Sequence, residues 1–151
     1  MKVSLHSHCA GSERIPSHIL DDVLAAAAAV DVRIERGAAP RIRDQFVAAL
    51  RSKGWSSEVT VSRGSDMSIT SIRENVGLCL QTGKMARMYA DLMKLQTMYL
   101  NDAIQGAVFV LPSQPVALAI GENIAQAARL ERELEIFRKA YYVPTLIVAL
   151  E

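Results

Sequence analysis

The chain has 151 residues, of which 50% are hydrophobic and 22% charged. That is the length of one domain, 1–151, and the composition of a globular protein rather than a disordered or low-complexity one. Residues 23–30 form the longest unbroken apolar run, bracketed by Asp22 and Asp31, far short of the roughly 20 residues a membrane span needs.

Met1-Lys2 leads into Val-Ser-Leu-His without the apolar core of a signal peptide, and Cys9 and Cys79 do not make a disulfide framework. The expected setting is therefore a reducing cytoplasm, with no membrane partner. Seventeen basic and sixteen acidic residues leave a net charge of +1. Between Arg33 and Lys94, however, eleven basic residues stand against six acidic ones. Such an excess suits either a polyanion or the solvated face of amphipathic helices.

In chain order, Ile15-Pro16-Ser17 opens a helix that runs through Asp21-Asp22 and the alanines to residue 30, its early acids facing the positive end of the helix dipole. A second helix begins near Pro40, carries Ile42, Phe46, Val47 and Leu50 at helical spacing, and stops at Gly54. Its other face holds Arg41, Arg43, Arg51 and Lys53, with Asp44 the single acid.

The period then shortens. Residues 59–61 and 67–72 look extended, a turn at Glu74-Asn75 returns the chain into residues 76–81, and the pair reads as a hairpin. After Gly83, residues 85–100 are helical, with Met88, Leu92, Leu95 and Tyr99 on one face. Residues 107–111 read as a buried strand closed by Pro112, residues 114–120 as a short helix, residues 123–141 as a longer helix, and residues 143–150 as the last strand. The expected class is α/β, a mixed central sheet flanked by helices.

The segment Ile69-Thr70-Ser71-Ile72-Arg73-Glu74-Asn75-Val76-Gly77-Leu78-Cys79-Leu80-Gln81, followed by Tyr89-Ala90-Asp91-Leu92-Met93-Lys94-Leu95-Gln96 and preceded by a helix ending in Gly54-Trp55, resembles the BglII-type branch of the PD-(D/E)XK restriction endonucleases. The resemblance spans about residues 40 to 112. It implies an Asp on the first hairpin strand and a Glu on the second, which together hold Mg²⁺, and a Lys or Gln two residues further on that positions the attacking water. Those positions fall on Thr70, Cys79 and Gln81, and only Gln81 is acceptable to the family. A hydroxyl and a soft thiol do not replace two carboxylates around a hard cation, so the expectation is a degenerate site with no metal cofactor.

The runner-up is an active Mg²⁺-dependent deoxyribonuclease with relocated carboxylates. Asp66 lies about 13 Å further along the strand than Thr70, Glu74 sits at the turn, and Glu58 comes from another segment. A third alternative is a dimeric scaffold with no nucleic-acid role. The resemblance implies a homodimer and a DNA partner contacted by Arg41, Arg43, Arg51, Lys53, Lys84 and Arg87; docking on a protein partner is the other use of an inactive fold. His6-Ser7-His8-Cys9, with His18 further on, groups metal-ligating residue types. A polar N-terminal strand or tail is the expectation there. Cys79 is expected to be an inert buried thiol.

Overall fold

The computed structural model describes residues 1–151. Its centre is a five-stranded mixed sheet built from β1 (Val3–His8), β4 (Ser71–Arg73), β5 (Val76–Leu80), β6 (Gly106–Pro112) and β7 (Thr145–Leu150). The strand order is β1-β7-β6-β5-β4. The three central strands run parallel, while β1 joins β7 and β4 joins β5 antiparallel. A separate two-stranded ribbon pairs β2 (Val59–Thr60) with β3 (Ser68–Ile69). No helix is long and apolar enough to cross a membrane.

Because side chains alternate across a strand, the sheet builds two cores. Val76, Leu78, Leu80, Val108, Val110, Leu146 and Val148 face α2 (Ser17–Ala29) and α3 (Ala39–Ser52), where Ile19, Val23, Ile42, Phe46 and Leu50 meet them. Cys79, Phe109, Leu111, Ile147 and Ala149 face the other way, onto Met88, Leu92 and Leu95 of α4 (Met85–Leu100) and Leu130 and Leu134 of α6 (Ala127–Ile136). The short helices α1 (Gly11–Arg14) and α5 (Gln114–Ile120) complete the chain.

The expected hairpin is present, with Glu74 and Asn75 both at positive φ, 47° and 63°. This is the backbone of a two-residue turn whose twist matches its strands. Asn tolerates it, and the Glu74 carboxylate lies 2.8 Å from His18 Nε2.

Three differences from the sequence expectation have physical causes. The strand expected over residues 67–72 breaks at Thr70, because Ser68–Ile69 pair with β2 whereas Ser71–Arg73 pair with β5. The helix expected over residues 123–141 covers only Ala127–Ile136. Residues before it are drawn into extended pairing with the start of α4, with Asn123 O accepting from Met85 N and Ala125 N donating to Gly83 O. The N-terminal segment, expected as a polar strand or tail, is an edge strand of the main sheet, six residues in register with β7. Finally, the short α1 packs close enough to β7 that a Cβ on Gly11 would lie 2.2 Å from the Thr145 carbonyl oxygen.

Candidate functional site

A cavity of about 650 Å³ opens where β5 ends, between the N-terminal half of α3, the β2–β3 ribbon and the first turns of α4. The register Ser71↔Leu78, carried one residue on, sets Thr70 opposite Cys79. Gln81 follows β5, its N–H still donating to Val110 O. The fold therefore brings Thr70, Cys79 and Gln81 to one end of the hairpin. Thr70 and Gln81 line the cavity; Cys79 lies behind its wall, 1% exposed.

Each of the three is already engaged. Thr70 Oγ1 accepts the Leu80 N–H at 3.0 Å. Gln81 Oε1 accepts the Gly83 N–H at 2.9 Å, and Nε2 donates to Asp91 Oδ2 at 2.7 Å. The other Asp91 oxygen accepts from Lys94 Nζ at 2.9 Å. Burial pushes the pKa of the Cys79 thiol well above its ordinary value, and the Asp91 carboxylate adds to the shift against the smaller opposing effects of Lys94, the Thr70 backbone and Arg43.

The Mg²⁺ that the family resemblance implies does not fit this donor set. The three positions offer a hydroxyl, a buried thiol that stays protonated and an amide, where a hard cation needs anionic oxygens. Nowhere does a group of three or more His, Cys, Asp or Glu side chains stand close enough to hold a metal ion. Of the carboxylates weighed from the sequence, Glu58 alone lines the cavity, and it is occupied by Arg43 at 3.4 Å. Glu74 is turned to His18 and Arg73, and Asp66 lies outside the cavity wall. The N-terminal ligand types also disperse. His18 pairs with Glu74, and His8 Nε2 lies 2.9 Å from Tyr141 O and 3.3 Å from Cys9 Sγ.

The six basic residues expected to contact DNA divide into three groups. Arg43 and Arg87 line the cavity, and Arg51 lines an adjoining hollow of about 270 Å³ that shares Arg43, Asp44, Glu58 and Thr70 with it. Arg41 and Lys84 lie off both walls, tied to Glu35 and to the Glu122 carbonyl. Lys53 is exposed past the end of α3.

Sequence reasoning missed Asp91 and Lys94. The signal was present: Met88, Leu92 and Leu95 mark the core face of α4, so Asp91 falls beside that face and calls for a partner, which Lys94 supplies three residues on. Three cations, Arg43, Arg87 and Lys94, and three carboxylates, Asp44, Glu58 and Asp91, line the cavity together.

No curated protein matches the sequence. The fold is that of the crystal structure of restriction endonuclease BglII complexed with a DNA 16-mer, with a TM-score of 0.86 and 9% identity over 99% of this chain and 76% of that one. It is also that of free BglII, with a TM-score of 0.70 and 12% identity over 100% and 80% of the two chains. The family model described as restriction endonuclease BglII/BglIII matches residues 3–150. With the match running through the whole sheet and its hairpin, the chain belongs to the BglII/BglIII restriction endonuclease family.

Proposed function

We propose that the chain is a BglII-family protein that binds duplex DNA at the 650 Å³ cavity and does not hydrolyse it. The observation that supports this most is the hairpin end itself. Thr70 and Cys79, to which the resemblance assigns the two carboxylates, are neutral side chains bonded or buried within the protein, and Gln81, to which it assigns the third position, is bonded to Asp91. In the chemistry that the family resemblance implies, a bound metal supplies and orients the nucleophile. Phosphate contacts need only cations at the right places, so binding survives where chemistry is lost.

The contacts assigned to DNA phosphates are Arg43, Arg51 and Arg87. In this proposal the working form is a homodimer, since a two-fold protein meets a two-fold duplex with two equal clefts. The direct test measures duplex affinity across a salt series and, in parallel, plasmid cleavage with Mg²⁺ and Mn²⁺. The expected result is salt-dependent binding with intact plasmid. Metal-dependent cutting abolished by Gln81→Ala would establish an active nuclease instead, and absence of binding at low salt would leave the scaffold role.

A further inference from the structure

Asp91 and Lys94 line the cavity beside Gln81 and are not among the DNA contacts assigned to Arg43, Arg51 and Arg87. Asp91 is 7% exposed, and its carboxylate is held on one side by Gln81 Nε2 at 2.7 Å and on the other by Lys94 Nζ at 2.9 Å. Gln81 is fixed in turn by the Gly83 N–H. Lys94 is thus not a free surface lysine. Its ammonium rests on an anchored carboxylate at the cavity wall, its side chain 21% exposed.

An ammonium has three protons to donate, and Asp91 takes the single side-chain hydrogen bond that Lys94 makes. Two donors remain for a ligand in the cavity. The local charge matches too. Two carboxylates around a divalent cation sum to neutrality, and so do Thr70, Cys79 and the Asp91–Lys94 pair. Replacing one set by the other leaves the corner neutral while keeping a positive group for a phosphate oxygen. An ammonium does this as a point charge, without the vacant coordination positions that make a metal ion reactive toward water.

We propose that Lys94, seated on Asp91, receives a nucleic-acid phosphate in place of a divalent cation, so that this chain binds DNA without metal. The proposal rests on the DNA-binding function above and adds its ion dependence. It assigns Lys94 the phosphate contact and makes Asp91 and Gln81 positioning residues.

The test compares duplex affinity in EDTA and in Mg²⁺ at matched ionic strength for the unmodified chain, Lys94→Gln and the double variant Asp91→Asn/Lys94→Gln, which removes both charges and leaves no buried carboxylate unpaired. Arg138→Gln, past the C-terminal end of α6 and off the cavity wall, is the control, and melting curves verify folding. Equal affinity in EDTA and Mg²⁺ is expected, with a roughly tenfold loss in both Lys94 variants and a salt slope lower by about 0.9. Binding that requires Mg²⁺, or Lys94 variants with unchanged slope while Arg87→Ala lowers it, overturns the proposal and leaves DNA binding standing. A titration with inorganic phosphate in EDTA, followed by amide shifts at Leu80 and Gly83, reads the seat independently of DNA. Shifts lost in the double variant support it even where no duplex binds, and the absence of shifts overturns it.

Discussion

Gln81 donates its side-chain amide to Asp91 at 2.7 Å, and this bond sets the character of the whole cavity. The Gln81 amide is spent on holding a carboxylate, and that carboxylate also accepts from Lys94. The Gln81 amide and the Asp91 carboxylate are satisfied from within the protein, while Lys94 keeps two donors free.

Introducing the missing carboxylates is expected to cost stability before it restores anything. Cys79→Glu places a charge where the native side chain is 1% exposed, and a loss of about 2–4 kcal/mol in urea unfolding is the expected outcome. Thr70→Asp faces the cavity and should cost less. In the double variant, Mg²⁺ raising the unfolding midpoint, with no such effect on the unmodified chain, would signal a reassembled metal site.

The two thiols should differ sharply in reactivity. Cys9 is partly exposed and Cys79 buried, with the Cys79 pKa raised by burial and by Asp91. Alkylation at pH 8 followed by mass spectrometry should modify Cys9 alone, with Cys79 labelled only on unfolding.

The same burial predicts a loss of stability at high pH. A thiol ionises near pH 8.5 in the unfolded chain but well above its ordinary value when folded, so above that pH the unfolded state releases a proton the folded state keeps, and stability falls as pH rises. Tyr141 acts in the same direction, its pKa raised by burial. Unfolding free energies measured between pH 7 and 10.5 should decline, and Cys79→Ala should flatten the first part of that decline.

At low pH the responsible group is Glu133. Burial alone would raise its pKa, but hydrogen bonds from Tyr89 and Arg129 outweigh this and lower it. Its contribution is present above the ordinary carboxylate pKa and is lost as pH falls through the lowered folded value. Glu133→Gln should therefore reduce the acid sensitivity of the melting temperature.

Lys84 and Arg87 should separate in a DNA salt titration. Arg87 faces the cavity, whereas the Lys84 ammonium donates to the Glu122 carbonyl at 2.8 Å outside it. Arg87→Ala is expected to lower the slope of log affinity against log salt by about 0.9 and Lys84→Ala to leave it nearly unchanged. Equal effects would place the DNA path differently.

Much of this protein is determined locally and was legible in its sequence. The helix expected over residues 85–100 is α4, Met85–Leu100, and the helix starting near Pro40 is α3, Ala39–Ser52, because apolar spacing, an early Pro and a closing Gly act within a few residues. The Glu74-Asn75 turn was legible for the same reason.

What tertiary structure decided depends on partners distant in the chain. Val3–His8 is a strand because β7 offers it an edge, and residues 123–126 leave the helical path because the start of α4 takes their hydrogen bonds. The cavity wall is of the same kind. Asp91 and Lys94 declare a pair on one helix, but that the pair closes on Gln81 rather than on solvent follows from α4 packing over the end of β5, a contact between elements that no local pattern encodes.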